Sequence, residues 1–185
     1  MKSVSLVGGA KTTRDLYKDY PADEIWTLSY LYKLGVPADL IFEMHLENEI
    51  PDDRRDYDKL GVPYVDLYSY PLNAVRDSLF AHLPVEHLFT SSFDYMLAGA
   101  IASGSFNRIQ VFGFEMEMTA EWFYQRPGAY LMIGIAAGRG IDVFVPEGSK
   151  LIRPQLYGYE GIPVISREVV KRLDFVKGSY EDSMD

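Results

Sequence analysis

The first residues able to do chemistry follow an apolar run: Ser3–Val7 stops at Gly8-Gly9 and continues as Ala10-Lys11-Thr12-Thr13. Two glycines let a backbone come close to a ligand. Amides opening a helix then face an anion, and a hydroxyl such as that of Thr12 adds a hydrogen bond. Gly8, Gly9 and Thr12 are therefore candidate ligand contacts. The run is neither a full G-x-G-x-x-G nor a P-loop, since G-K-[ST] is missing, and the same residues suit a tight strand-to-helix turn with a capping threonine. His45 closes Phe42-Glu43-Met44-His45. At the carboxyl end of a strand a histidine can move a proton near neutral pH, or it can simply bond a neighbouring loop. Three scattered histidines without a single cysteine form no metal signature.

A second group follows the strongest apolar run, Arg108–Phe114, where Glu115 and Glu117 come directly after it. Carboxylates there can bind ribose hydroxyls, coordinate a divalent cation or act as a base. Glu117 and Glu121 fit better as acids complementing a helix dipole, which leaves Glu115 as the site candidate. Arg126, inside Tyr124-Gln125-Arg126-Pro127, has the bidentate geometry that stabilises phosphate charge, or it neutralises one of the nearby acids. Ser91 and Ser92 cap a helix whose first amides can face the same ligand.

These residues are positioned by alternating strand-like and helix-like segments. Strands are expected at Ser3–Val7, Ile25–Leu28, Asp39–His45, Val62–Leu67, Arg108–Phe114 and Ile141–Pro146. The proline in the fourth places it near a sheet edge. Phe93, Met96, Leu97, Ala100 and Ile101 repeat at helical spacing between the Ser91-Ser92 cap and Gly104. Another helix is expected from about Thr119 to Ala137, interrupted or kinked at Pro127-Gly128 and closed by Gly138-Arg139-Gly140. Residues 47–59 read as a polar, mobile insert, and 178–185 as a frayed acidic tail. The pattern predicts an α/β, Rossmann-like domain spanning 1–185, with a mostly parallel sheet of about six strands and helices on both faces. Ligands of such sheets bind outside the carboxyl ends of the strands, where all the candidates fall.

Composition narrows the partners. A net charge of -9 repels a nucleic-acid backbone, and the basic pairs Arg54-Arg55 and Lys171-Arg172 are each flanked by acids. Direct nucleic-acid binding is therefore not expected. No apolar run approaches the roughly 20 residues that span a bilayer, and the opening is broken by glycine too soon for a secretory signal. With no cysteine, a cytoplasmic location is expected.

Together these segments resemble an uncharacterised group of Rossmann-like proteins of phages and prophages, carried by Phe42–His45, Glu121–Pro127 and Tyr157-Gly158-Tyr159. Over roughly residues 3–160 the core is also similar to small bacterial sialyltransferases that use a CMP-sugar donor. Leu6–Thr12 corresponds to that family's donor-binding loop, Thr90–Met96 to its Thr-Ser-Gly helix start, and Gln110–Met116 to its Gly-Ile-Asp strand end. The resemblance implies that Ser29 and His45 occupy donor-contacting positions held by asparagines in that family. The family's histidine base follows the fifth strand, and no histidine occurs after His87. The resemblance thus implies the fold and a nucleotide-shaped crevice rather than sialyl transfer by that mechanism.

The expected function is a phage-type protein binding a nucleotide or nucleotide-sugar, with no particular cofactor specified. A glycosyltransferase-like enzyme or a hydrolase is the alternative, using His45 or Glu115 as base and Arg126 against phosphate. A third is an interaction protein with a vestigial crevice, a possible homo-oligomer, whose surface uses some of its 14 tyrosines, among them Tyr57, Tyr68, Tyr70, Tyr157 and Tyr159.

Overall fold

In the computed structural model, the described residues are 2–50, 57–80, 88–117 and 124–152. They belong to one compact unit that ends at Ile152. The expected tail, Glu121, Tyr157 and Tyr159 lie outside the described residues.

Six strands form one sheet: β1 (Ser3–Val7), β2 (Glu24–Leu28), β3 (Leu40–Glu43), β4 (Tyr64–Asp66), β5 (Arg108–Phe112) and β6 (Asp142–Phe144). Every pairing is parallel and the order is β4-β3-β2-β1-β5-β6. β4 therefore lies at an edge, where Pro63 costs no ladder bond. The chain winds outward from β1 to β4, then returns to pair β5 against the other side of β1. Strand order thus reverses between β1 and β5, and the helices that follow these two strands diverge to leave a crevice.

Alternation along the strands divides the core. Val4, Leu6, Ile109 and Val111 pack on one face against α3 (Ser92–Ala102) and α4 (Arg126–Gly138), with α2 (Leu72–Phe80) beside α3. Val7 and Phe112 face the other side, where they meet Tyr17 of a 3-10 turn (Arg14–Asp19) and Leu31 of the short helix α1 (Ser29–Lys33). Helices thus cover both faces. Cover on both faces explains why β1 and β5, buried after their first residues, read as largely apolar runs.

α3 starts as its sequence predicts: the Ser91 side chain accepts from Asp94 N–H, and the Asp94 carboxyl accepts from Ser91 N–H, a reciprocal capping box. Gly104, at φ 63, ends it. Near the expected break, Tyr124 and Gln125 form a π turn that leads into α4. Pro127 sits in the first turn of the helix, where its missing N–H is no loss, and α4 begins at Arg126. Residues 118–123 lie outside the described set. α2 was not anticipated, although Leu72, Val75, Leu79 and Phe80 have helical spacing. In the polar insert, Glu47–Glu49 and Tyr57–Leu60 are 3-10 turns, and 51–56 are outside the described residues.

Candidate ligand crevice

The crevice at the β1/β5 reversal has a volume of about 870 Å³. Its walls come from segments that follow the strand ends: Lys11 and Thr12 after β1, Tyr30 after β2, His45 after β3, Leu67 after β4 and Glu115 after β5. Thr90, Ser91 and Ser92, at the start of α3, close another side. The lining is mixed. Leu28, Tyr30, Met44, Leu67, Phe89 and Tyr95 are apolar or aromatic, while Lys11, Thr12, Ser91, Ser92, Glu115 and Glu117 are polar.

The two glycine loops hold the floor together. Gly8 N–H donates to Phe112 O at 2.7 Å, and Ala10 N–H donates to Gly113 O at 2.9 Å. Gly113 has φ 71, and a Cβ on it would strike the Gly8 carbonyl. A Cβ on Gly9 would strike the Tyr30 hydroxyl. Gly9 lines the crevice, whereas Gly8 lies behind it as the packing partner of Gly113. Gly8 and Gly113 are needed because each occupies with its backbone the space of the other's side chain, whereas at Gly9 the obstacle is the tip of the Tyr30 side chain.

Glu115 is buried in a dense set of donors. Its Oε1 accepts from Thr12 Oγ1 at 3.0 Å and Thr13 Oγ1 at 2.6 Å. Its Oε2 accepts from Ser149 Oγ at 3.3 Å and from Lys150 N–H. Thr13 Oγ1 in turn accepts from Gly113 N–H at 3.0 Å. One carboxylate thus joins the loops after β1, β5 and β6. Four donors occupy the lone pairs that a base would need, so the expected base at Glu115 is placed as a strut.

Arg126 is likewise drawn inward. Nη2 donates to Glu115 O at 2.7 Å, Lys150 O at 2.8 Å and Met116 O at 3.0 Å. Nη1 reaches Tyr130 Oη at 3.3 Å, and that hydroxyl donates to Leu151 O. Arg126 is buried and is not among the crevice walls. Its position explains an unusual backbone: Met116 is a buried non-glycine residue at φ 49. Such a left-handed residue costs on the order of 1 kcal/mol or more, and the guanidinium holds the carbonyls of both residues 115 and 116. Where phosphate binding was expected, the arginine braces the loop that bears Glu115 and Glu117.

His45 does line the crevice, with its side chain 61% exposed. Its Nδ1 and its backbone N–H both meet Oε1 of Glu43, and Ser29 Oγ donates to Oε2 of the same carboxylate. Ser29 is therefore buried in α1 and acts through Glu43, without touching the crevice itself. Glu43 was overlooked. The signal was present, because residues two apart on a strand share a face, and Glu43 stands two before His45.

Lys11, also overlooked as a candidate, lines the crevice exposed and enters no ion pair among the described residues. Glu117, by contrast, is paired with Lys150 at 2.7 Å. At the start of α3, Asp94 is fully buried, and burial pushes its carboxyl up to about 6 despite hydrogen bonds from Ser91 and Thr90. Thr90 Oγ1 ties this turn to the carbonyl of Tyr124 at 2.6 Å. Of the tyrosines considered for a partner surface, Tyr68 is exposed, but Tyr70 is core and donates to Tyr95 O. Among the described residues no group of three potential ligands is placed to hold a metal ion, and no helix is long and apolar enough to cross a membrane.

No family model matches the chain, and no curated protein matches it. Among solved structures, a thiamine pyrophosphokinase from Bacillus subtilis is similar at 14% identity and a TM-score of 0.48, over 78% of this chain. The chain spans 60% of that protein's length. Likeness at this level carries neither function nor substrate to this chain.

Proposed function

We propose that the crevice binds a nucleotide or nucleotide-sugar, in a protein of the phage Rossmann-like type whose core is similar to CMP-sugar-dependent sialyltransferases. The observation that supports this reading is a crevice outside the strand ends whose walls mix aromatic and apolar side chains with polar ones. A flat ring fits against Leu28, Met44, Leu67 and Phe89, with Tyr95 or Tyr30 available for stacking. A phosphate fits against Lys11, which is unpaired among the described residues and lines the same crevice as Ser91 and Ser92 at the start of α3.

The test is thermal unfolding of the purified protein with CMP, CMP- and UDP-sugars and dinucleotides, with and without Mg²⁺. A ligand at one hundred times its dissociation constant adds about 2.7 kcal/mol, an unmistakable rise in midpoint. Lys11→Ala should weaken that rise without lowering the unliganded midpoint. A flat response across the panel refutes the reading and favours the partner-binding alternative.

One observation favours an enzyme acting on such a ligand: His45, able to move a proton, stands at the crevice wall with a carboxylate behind it. In that version Glu115 lines the crevice already bonded to four donors, and Arg126 lies buried beside it. Turnover of a labelled nucleotide-sugar that His45→Ala abolishes would establish it, and unchanged turnover in that variant would remove His45 from the chemistry.

A further inference from the structure

We propose that Glu43 and His45 act as one unit, in which Glu43 fixes the ring so that Nε2 stands as a proton acceptor for an O–H group held in the crevice. This deepens the enzyme reading above and rests on it for its use, although the unit itself is a property of the unliganded protein.

Glu43 ends β3 and is 4% exposed, buried at a point where a lone carboxylate would be costly. Two donors besides the imidazole point at it: Ser29 Oγ at Oε2 and His45 N–H at Oε1, 3.3 Å away. A carboxyl that already receives two donors is acting as an acceptor, so its contact with Nδ1 requires the ring to supply the hydrogen. In the neutral imidazole one nitrogen carries the proton and the other the lone pair. With Nδ1–H turned to Glu43, the lone pair lies on Nε2 at the opposite edge of the ring. Nε2 has no protein partner among the described residues, and the side chain is open to the crevice.

Rigid parts support the arrangement. Glu43 pairs in register with Asp66 of β4, and Ser29 is the buried first residue of α1. The carboxylate is thus fixed to the sheet at one end and to a helix start at its other oxygen. Such second partners hold a histidine in one tautomer and one orientation. His45 is the proton acceptor and Glu43 its positioning residue. The acceptor serves either a ligand hydroxyl or a water, the shared requirement being an O–H within hydrogen-bond reach of Nε2.

The experiment is nitrogen NMR of the unliganded protein labelled at its three histidines, with His45→Gln assigning the ring in question. At about pH 9, where an imidazole is ordinarily neutral, the His45 ring should show Nδ1–H as its main form. Glu43→Leu should abolish that preference, because it removes the acceptor. Glu43→Gln should keep it, since the His45 N–H holds the amide carbonyl at the Oε1 position and the Ser29 hydroxyl can accept from the amide nitrogen. An Nε2–H ring in the folded wild type overturns the proposal, and so does an Nδ1–H ring that survives Glu43→Leu. The wild-type spectrum decides the tautomer even if a variant fails to fold. No ligand is present, so this result is independent of the nucleotide screen.

Discussion

Replacing Glu115 separates a strut from a base. In Glu115→Ala, four donors lose their acceptor: the hydroxyls of Thr12, Thr13 and Ser149, and the N–H of Lys150. Thr12 and Ser149 are near enough to solvent to find water. Thr13 is buried, and Lys150 N–H stands over the carboxylate itself. Two buried unsatisfied donors at roughly 1–3 kcal/mol each give a loss of about 4 kcal/mol. For a chain of this size that corresponds to about 8–16 °C in melting temperature. Glu115→Gln should be milder, about 1–2 kcal/mol. Its carbonyl can face Lys150 and its amide can face the threonine hydroxyls, which are able to accept. Urea unfolding followed by tryptophan fluorescence measures both. A base would behave differently, with Gln as harmful as Ala to turnover and neither harmful to folding. Glu115→Ala within about 0.5 kcal/mol of wild type would refute the structural role assigned to this carboxylate.

The other predictions concern the same framework. Because burial raises Asp94 to about 6 from its ordinary 3.8, the folded state holds this proton more tightly than the unfolded chain. The stability it adds is fully present below about pH 4 and lost as pH rises through about 6, amounting to about 3 kcal/mol. Asp94→Asn should remove that difference when urea midpoints at pH 4 and pH 7 are compared with wild type. The remaining acidic groups are common to both proteins, so their contributions cancel in the comparison. Gly113→Ala should cost at least about 2 kcal/mol, through a strained φ and a collision with the Gly8 carbonyl. A neutral result in thermal unfolding would mean that β1 and β5 do not end as described. Arg126→Met should destabilise by about 3 kcal/mol, since three backbone carbonyls lose a charged donor. If that variant instead kept its midpoint and lost only CMP or UDP-sugar binding, a phosphate-binding arginine would be restored.

The strands and the crevice edge were open to reading from the chain alone. Apolar runs such as Ser3–Val7 and Arg108–Phe112 record burial on both faces, and Ser91 with Asp94 three residues later records a helix start. These are local signals, because burial and capping act through a residue's near neighbours. The pairing order of the strands left no such mark, and it is this order that sets β1 against β5 and makes the crevice. The roles of the polar candidates also depended on distant partners. Glu115 and Arg126 have the chemistry of a base and a phosphate clamp, but donors and carbonyls from residues 12–13, 116 and 149–150 consume it. Conversely, His45 gains its carboxylate from Glu43 at the end of β3, and Lys11 lines the crevice with no ion pair among the described residues. Residue type sets what a side chain can do; the partners that folding brings to it decide which of those capacities stays available, and no spacing along the chain encodes them.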